Sequence, residues 1–196
     1  MREIIIFRHG ETDWNREERF QGHIDVPLND TGREQAAQLI PRLRSIGIDA
    51  ILSSTLSRAM ETAEIIARDL SVPIFRDGDL REAHLGEAQG LTRTEIEKRF
   101  GLLARQWRSW NVSDADVFYP GGETGGQVSA RAFSAIERFL DLNPFQRVGI
   151  ATHGGVIRRM MQKVLPLGSE PVPIPNGILY RLEFNPNSRA WNARKL

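Results

Sequence analysis

Two histidine–glycine pairs are the residues of this 196-residue chain best suited to chemistry. The first, His9-Gly10, directly follows Arg8 and an apolar run, and the second, His153-Gly154, precedes another glycine. Glycine lets the backbone turn sharply or approach a ligand closely. An imidazole can act as a nucleophile, and the planar guanidinium of an arginine favours an anion. The two pairs therefore predict a pocket for an anionic ligand.

Three further features have the types that such a pocket needs. Arg58, in the segment SSTLSRAMET, is predicted at the start of a helix just past a strand. Gly154 opens another predicted helix, whose free amides and positive dipole end favour an anion. Glu82 lies in a glycine-rich irregular stretch suited to the mouth of a pocket. Singly, such residues are more often structural than catalytic, and their convergence is what favours a functional site.

Strands and helices are predicted to alternate along the chain. Continuous apolar runs indicate buried strands, and apolar residues at helical spacing indicate helices. The predicted strands are residues 4–7, 50–53, 72–75, 147–152, 178–184 and 190–193. The predicted helices begin at Thr31 and near residue 57, and then cover 92–100, 102–110, 123–142 and 154–164. Pro41 is expected to kink or shorten the first helix, because proline lacks the amide donor.

This alternation predicts the fold class α/β, with a three-layer α/β/α sandwich around a mostly parallel central sheet. In such sheets, ligands bind beyond the carboxyl ends of the strands. His9 and His153 each follow a predicted strand directly. The elements therefore carry both imidazoles to the edge of the sheet where a ligand is expected.

Composition excludes several functions. Lys plus Arg (26) nearly balances Asp plus Glu (25), so no overall field attracts nucleic acid or an anionic membrane. No apolar stretch is long enough to span a bilayer, and no signal segment is recognised, so a cytoplasmic protein is expected. The absence of cysteine excludes disulfides and thiolate chemistry. The four histidines form no metal-ligand run, so neither a metal nor another cofactor is expected.

Two short patterns resemble other phosphate chemistries. Asp114-Ala115-Asp116-Val117 is similar to the start of aspartate-nucleophile phosphatases, but no buried strand precedes it, which favours a solvated loop. The segment GGETGG at 121–126 lacks the Gly-Lys-Ser/Thr ending of a P-loop. It is predicted to be a turn that leads into a helix.

The ordered set of motifs resembles the histidine phosphatase superfamily, the phosphoglycerate mutase-like group. The motifs are RHGET with Trp14 and Asn15, RFQG at 19–22, SRAMETA at 57–63, Glu82 with Gly86, and THGG at 152–155. They span residues 3 to about 160 in the family's order. The resemblance implies a single domain over residues 1–196, in which residues 77–125 form an irregular and helical region that decides substrate specificity.

The resemblance also implies roles for the pocket residues. His9 would be the nucleophile that forms a phosphohistidine, with Arg8, Arg58 and His153 holding the phosphoryl oxygens. A neutral imidazole is available near neutral pH because its ordinary pKa is about 6.5, and the neighbouring guanidinium groups disfavour the imidazolium. Glu82 would protonate the leaving alkoxide and then activate water.

Substrate contacts follow from the same resemblance. Asn15, Gln21 and Gly22 fall where family members contact the phosphate or substrate, although a simple turn explains Gln21 and Gly22 almost as well. Arg93 stands where the mutases have a lysine. With Arg8, Arg58 and Gly154, these residues complete the predicted substrate-binding set.

Three functions remain open at this point. The first is a hydrolase that acts on a small phosphorylated metabolite. The second is a cofactor-dependent phosphoglycerate mutase, in which a Glu-Arg-His-Tyr-Gly run helps to hold the glycerate. Here the run is Glu82-Ala83-His84-Leu85-Gly86, so the arginine and the tyrosine are missing, which favours the hydrolase. The third is a non-catalytic phosphate-binding module. A strand near the C-terminus could also pair with a second copy of the chain in a homodimer.

Overall fold

A computed structural model describes residues 1–110 and 116–194 of the chain. In this part, the strands form one six-stranded sheet in the order β3-β2-β4-β1-β5-β6. The strands are β1 (Arg2–Arg8), β2 (Ala50–Ser54), β3 (Ile74–Asp77), β4 (Arg147–Thr152), β5 (Leu179–Asn185) and β6 (Ala190–Arg194). The first four are mutually parallel, and β5 and β6 are antiparallel to their neighbours.

Helices cover both faces of the sheet. They are α1 (Asp13–Arg16), α2 (Asp30–Ile46), α3 (Ser57–Leu70), α4 (Arg93–Phe100), α5 (Leu102–Arg108), α6 (Gly125–Leu142) and α7 (Gly154–Val164). Two short 3₁₀ turns lie at Gly78–Leu80 and Gly86–Ala88, within the stretch that was predicted to be irregular. None of the helices in the described ranges is long and apolar enough to cross a membrane.

Alternation along β1 divides the core into two layers. Ile5 and Phe7 pack with the apolar faces of α2 and α3, whereas Ile4 and Ile6 pack on the opposite side with α6 and α7. Successive side chains of a strand point to opposite faces, so four apolar residues in a row require a sheet that is covered on both sides. The predicted three-layer α/β/α sandwich is therefore confirmed.

Several predicted boundaries are wrong by a few residues. Helix α2 continues through Pro41 to Ile46, because Pro41 lies on the exposed side and water can satisfy the carbonyl that lost its partner. Strand β3 begins at Ile74, two residues later than predicted, since Pro73 has no amide to donate. Helix α6 begins after Thr124, whose side chain caps the helix through Gln127.

The region around residues 102–126 agrees with the predictions in part. Helix α5 ends at Arg108, so Ser109 and Trp110 lie beyond it. Asp114 and Ala115, the beginning of the aspartate-nucleophile-like pattern, lie outside the described residues. The segment GGETGG forms a turn that leads into α6, as predicted.

Candidate active site

The register of the sheet brings the two histidines together. Arg8 in β1 pairs with Thr152 in β4, so the next residue of each strand, His9 and His153, leaves the sheet at the same point. The backbone amide of His9 donates to the carbonyl of Thr152 at 3.0 Å, which continues the pairing by one residue. The two imidazole centroids are 5.1 Å apart, and both side chains are buried.

One ring nitrogen of His9 is hydrogen-bonded to the backbone, and the other is free to react. His9 Nδ1 lies 2.6 Å from the carbonyl oxygen of Gly10. A carbonyl can only accept, so Nδ1 carries the proton and Nε2 keeps its lone pair in the neutral ring. Burial, followed by the positive charges of Arg8 and Arg58, holds the pKa of His9 well below its ordinary value. The imidazole is therefore neutral and oriented for nucleophilic attack through Nε2.

Close packing fixes the turn that carries His9. A Cβ on Gly10 would lie 2.1 Å from the carbonyl oxygen of Gly32, in the first turn of α2, so only glycine fits. The amide of Gly10 donates to Thr62 Oγ1 at 3.1 Å. From the other side, Asn176 Nδ2 donates to the carbonyls of His9 and Gly10 at 3.0 and 3.1 Å. The backbone of His9 and Gly10 is thus held from two sides, by Thr62 and by Asn176.

Both Arg8 and Arg58 are held by hydrogen bonds to backbone carbonyls, and each still has an unused donor. Arg58, which is 1% exposed, donates from Nη1 to Ile24 O and from Nη2 to Gly22 O. Arg8 donates from Nη1 to Ile174 O at 2.7 Å. The Nε atoms of Arg8 and Arg58 are buried and have no hydrogen-bond partner among the described residues. Buried donors without a partner are rare, and here they mark a place for an anion.

His153 is arranged as a further donor. Its Nε2 lies 2.7 Å from Ser54 Oγ, and that hydroxyl also accepts from the amide of Leu56. Ser54 can therefore donate its own proton to Nε2, which leaves the His153 proton on Nδ1. Nδ1 is buried without a hydrogen-bond partner in the described ranges. Burial, then the charge of Arg58, lowers the pKa of His153 well below its ordinary value.

Glu82 reaches the same space from the loop after β3. Its Oε2 accepts from the amide of Gly155 at 2.9 Å, in the first turn of α7, and Oε1 accepts from the amide of Ala83 at 2.8 Å. A Cβ on Gly155 would lie 2.3 Å from Glu82 Oε1. The second glycine of the THGG motif is thus what admits the carboxylate to the N-terminus of α7.

A polar network holds the backbone of the Glu82 loop. Arg131, on α6, donates to the carbonyls of Asp79, Arg81 and Glu82 at 2.6 to 2.9 Å, and it pairs with Glu123 at 2.8 Å. One guanidinium therefore connects the loop to a helix that packs on the sheet.

Two more side chains complete this network. The His23 ring nitrogen Nε2 lies 2.7 Å from the carbonyl of Glu82, and Glu123 accepts from the amide of His84. Burial opposes ionisation of Glu123, but the hydrogen bonds from Arg131 and the His84 amide outweigh it and lower its pKa. Neither His23 nor His84 belongs to a metal-ligand cluster in the described ranges.

A cavity of about 440 Å³ connects these groups. Arg8, His9, Arg58 and Glu82 line it; His153 is fully buried and does not line it, although its ring centroid lies 5.1 Å from that of His9. All the predicted substrate-binding residues line it as well; those not yet placed are Asn15, Gln21, Gly22, Arg93 and Gly154. The structure therefore brings the predicted residues together around one cavity, except that His153 lies beside His9 without lining it.

The predicted substrate-binding residues differ in how they are held. Asn15 Oδ1 accepts hydrogen bonds from Thr12 and from Asn176. The side-chain nitrogen Nδ2 is therefore the group of Asn15 that can donate to a ligand in the cavity. Gln21 is buried, and its Oε1 has no partner in the described part of the chain. Arg93 is about half exposed and lies 3.6 Å from Glu97. Their roles stay predictions.

The site also contains residues that the sequence analysis did not identify. Ser54, Asn176 and Arg131 each orient a pocket group through hydrogen bonds. Asn176 lies 167 residues from His9, so no local pattern connects them. Arg158 and Arg108 also line the cavity, from α7 and the end of α5. A basic residue on the pocket-facing side of a predicted helix, as Arg158 is, was the one signal that could have found them.

The fold and this site define a class of phosphoryl-transfer proteins in which a histidine at the end of the first strand faces two arginines and a second histidine. The family model for the histidine phosphatase superfamily, branch 1, matches residues 4–195, and the chain belongs to this superfamily. The resemblance inferred from the motifs is therefore confirmed.

Relatives of known name agree with this membership. Phosphoglycerate mutase-like protein 4 of Arabidopsis thaliana is 41% identical over 167 residues, covering 84% of this chain and 71% of that protein. Uncharacterized phosphatase PhoE of Bacillus subtilis is 31% identical over 188 residues, covering 94% and 89%. The solved structure of a mycobacterial glucosyl-3-phosphoglycerate phosphatase in complex with VO₃ is 28% identical, with a TM-score of 0.86 and coverage of 99% and 98%. These similarities fit phosphomonoester hydrolysis.

Proposed function

We propose that this protein hydrolyses phosphomonoesters by transferring the phosphoryl group to His9 Nε2 and then to water. The observation that carries the proposal is the commitment of His9 Nδ1 to the Gly10 carbonyl. It leaves Nε2 as a neutral nucleophile at a cavity lined by Arg8 and Arg58, whose Nε atoms are buried without partners among the described residues. Nδ1 of the adjacent His153 is likewise buried without a partner there. A phosphoryl group would satisfy these donors together.

In the first step, the Nε2 lone pair attacks phosphorus and the bond to the ester oxygen breaks. The leaving alkoxide takes a proton from Glu82, which the Gly155 and Ala83 amides hold at the cavity wall. Such a positioned acid typically contributes about 10²–10⁴-fold. Charge that develops on the phosphoryl oxygens is stabilised by Arg8 and Arg58, which are already fixed before the substrate arrives.

In the second step, water replaces the alcohol. Glu82, now ionised, takes a proton from this water, which attacks phosphorus as the bond to Nε2 breaks. Inorganic phosphate and a neutral His9 are released. We infer that the reaction needs no metal, because two guanidinium groups supply the positive charge that metals supply in other phosphoryl-transfer sites.

The substrate that we propose is a small phosphorylated metabolite. A cavity of about 440 Å³ is in the range of pockets that enclose such molecules. Six residues of the region 77–125 line the cavity, namely Glu82, Ala83, Leu85, Arg93, Trp107 and Arg108. We therefore assign substrate choice to this region of a single domain. Homodimer formation through the edge strand β6 and a cytoplasmic location also remain part of the proposal.

The alternative with the most direct support is a phosphoglycerate mutase, since one relative is named phosphoglycerate mutase-like. Ala83 and Leu85 line the cavity where the mutases are expected to have an arginine and a tyrosine. These apolar side chains cannot hold a glycerate carboxylate, which favours the hydrolase. A non-catalytic module is less well supported, because nucleophile, arginines and carboxylate are all in place around the cavity.

The proposal is tested with a panel of phosphomonoesters in metal-chelating buffer, assayed for free phosphate and for isomer. The panel contains p-nitrophenyl phosphate, glycerol 3-phosphate and 3-phosphoglycerate, the last also with catalytic 2,3-bisphosphoglycerate. We expect free phosphate from several esters, and roughly 10⁶-fold less from His9→Ala, the order found when a covalent nucleophile is removed.

The phosphohistidine intermediate can be detected directly. Rapid quenching of the wild-type protein with a ³²P-labelled ester should trap label in an acid-labile, base-stable bond that is absent from His9→Ala. Isomer that forms faster than phosphate would establish the mutase instead. If esters bind but are not turned over and the protein is not labelled, the protein is a non-catalytic phosphate-binding module.

A further inference from the structure

A strap of residues 171–178 lies between α7 and β5 and passes along the end of β1. Its alternate prolines are exposed, and Val172 and Ile174 between them are partly buried and pack on the core. Proline fixes its own φ and confines the preceding residue to extended conformations. The strap is therefore extended and stiff before any ligand binds.

The strap ends in a turn that presents Asn176 to β1. The amide of Ile178 donates to the carbonyl of Pro175 at 3.3 Å, and Gly177 has a φ of 70°. A positive φ at the third position of a β-turn is what a type II turn requires, and glycine adopts it without steric cost. The amide of Arg8 donates to the carbonyl of Ile178 at 3.0 Å. Asn176 therefore lies directly beside the residues that follow β1.

The side-chain amide of Asn176 reaches two parts of the phosphate pocket. Its Nδ2 lies 3.0 Å from the carbonyl oxygen of His9, 3.1 Å from that of Gly10 and 3.2 Å from Oδ1 of Asn15. All three atoms are acceptors, whereas an amide nitrogen has two protons, so one proton is shared. The same group therefore holds the turn of the nucleophile and leaves Nδ2 of Asn15 for a ligand in the cavity.

The Gly10 carbonyl links Asn176 to the reacting ring. His9 Nδ1 donates to this carbonyl at 2.6 Å, and an oxygen with two lone pairs can accept from the ring and from Asn176 together. When Nε2 bonds to phosphorus, the ring becomes positively charged, and its Nδ1–H group binds the carbonyl more strongly. The direction of that carbonyl therefore decides the tautomer of the free ring and stabilises the charged one.

The backbone of the strap supports a third group of the pocket. Nη1 of Arg8 donates to the carbonyl of Ile174 at 2.7 Å. The hydroxyl of Tyr180, on β5, donates to the carbonyl of Pro173 and so connects the strap to the sheet. The guanidinium and the imidazole that face the phosphate thus both depend on contacts with residues 173–176.

We propose that Asn176 is a positioning residue for phosphoryl transfer. It fixes the Gly10 carbonyl, so that His9 meets the phosphoryl group through Nε2, and it directs Asn15 to the same group. Asn176 does not line the cavity, so it acts through these neighbours and not by touching the substrate. The inference rests on the proposed hydrolase function and deepens it, because it names the side chain that prepares the nucleophile.

The tautomer of His9 provides a test that needs no substrate. Long-range ¹H–¹⁵N spectra of ¹⁵N-labelled protein distinguish a proton on Nδ1 from one on Nε2, and His9→Asn identifies the signals of this ring. In the wild type we expect the proton on Nδ1. In Asn176→Ala the Gly10 carbonyl loses a partner and can turn, so a measurable share of the rings should carry the proton on Nε2.

The rate of a single turnover tests the effect on chemistry. With protein in excess, release of p-nitrophenolate from p-nitrophenyl phosphate reports formation of the phosphohistidine. Asn176→Ala should slow it about 10- to 10²-fold, as expected for a misplaced reacting group. Asn176→Asp keeps the size of the side chain but turns a carboxylate towards three acceptor oxygens, so it should react more slowly than Asn176→Ala. Thermal melting verifies that each variant is folded.

One control and one binding measurement complete the design. Asn187→Ala, on the exposed turn between β5 and β6, is the matched control and should react like the wild type. Inorganic phosphate should bind Asn176→Ala a few-fold more weakly by calorimetry, because Asn15 is then free to turn its amide. An unchanged phosphate affinity would refute the part of the proposal that concerns Asn15.

Two results would each overturn the role of Asn176 towards His9. The first is an unchanged tautomer of His9 in Asn176→Ala, and the second is a single turnover that slows by less than a few-fold. Asn176→Asp reacting faster than Asn176→Ala would also contradict it, since packing alone would then explain the side chain. If the wild type hydrolyses no ester, the hydrolase function is refuted, while the tautomer still decides whether Asn176 positions His9.

Discussion

The two ends of the cavity are built in different ways. At the phosphate end, His9 and His153 leave neighbouring parallel strands, and the turn is held by close glycine contacts and by hydrogen bonds between its backbone and Thr62 and Asn176. At the leaving-group end, Glu82 lies on a loop between short 3₁₀ turns, and side chains from distant elements hold its carbonyl. The first end is specified by sheet register, and the second by a few side-chain contacts.

This difference separates chemistry from specificity. Changing a group at the phosphate end alters atoms that every phosphomonoester presents, so all substrates should suffer alike. Changing a group at the leaving-group end alters contacts with the alcohol, so the loss should depend on the ester. Variants at each end test this contrast.

Arg58→Met should have the largest effect on turnover among single substitutions of the groups that hold the phosphate or Glu82. Its buried guanidinium is fixed by the carbonyls of Ile24 and Gly22 and has Nε free for the phosphate. Arginine that stabilises a phosphoryl transition state is typically worth about 10³-fold or more, and we expect kcat/KM to fall by that order for every ester. Steady-state kinetics on aryl and alkyl esters provide the measurement, with thermal melting to verify folding. Losses that differ tenfold between esters would contradict a role limited to the phosphate.

Glu82→Gln should discriminate between esters. The amide oxygen can still accept from the Gly155 amide, but the side chain no longer donates an acidic proton. Alkyl esters should be cleaved about 10²-fold more slowly, whereas p-nitrophenolate leaves without a proton. The first turnover, followed by rapid quench, isolates this step from hydrolysis of the phosphohistidine. Equal losses for glycerol 3-phosphate and p-nitrophenyl phosphate would remove Glu82 from the role of general acid.

Arg131→Met should also slow the cleavage of alkyl esters, but by a smaller factor than Glu82→Gln. The variant loses three hydrogen bonds to loop carbonyls and the ion pair with Glu123, so the loop that carries Glu82 is held less firmly. We expect kcat for alkyl esters to fall roughly tenfold and the free energy of unfolding to fall by about 1–3 kcal/mol. Arg131→Lys is the matched control, because it keeps the charge but cannot span all the carbonyls. A fall in stability with unchanged ester preference would make Arg131 purely structural.

The smallest predicted effect is the pH dependence of the free energy of unfolding. Burial and neighbouring arginines lower the pKa values of His9 and His153, so the native protein binds fewer protons than the unfolded chain below pH 6.5. Because the unfolded state binds more protons there, the free energy of unfolding should fall on acidification from pH 7.5 to 5.5. The slope is at most about 1.4 kcal/mol per pH unit for each such histidine.

Urea denaturation at several pH values measures this slope. His9→Asn removes one of the two groups and should flatten it, which provides the matched control. A stability that is constant or rises towards pH 5.5 would show that these imidazoles are not kept neutral by the fold.

Much of the phosphate end could be predicted from local sequence. The run Ile4 to Phe7 must lie in a sheet covered on both faces, and the residues after such strands meet at one edge. Helix α7 and strand β4 have the predicted bounds for the same reason, since their apolar patterns match one period throughout. Where a single residue changed the boundary, as Pro73 and Thr124 did, the pattern alone was insufficient.

The sequence by itself predicted the fold class and the placing of His9, Arg8 and Arg58 at one end of the sheet, because periodicity and ordered motifs are local properties of the chain. Only the tertiary structure decided which nitrogen of His9 is free, how Glu82 is held, and that Arg158 and Arg108 share a wall of the cavity. Those contacts join residues about 50 or more positions apart, except for the Gly10 carbonyl that orients His9 and the Ala83 amide that bonds to Glu82. They depend on strand register and helix packing, which no short stretch of sequence contains.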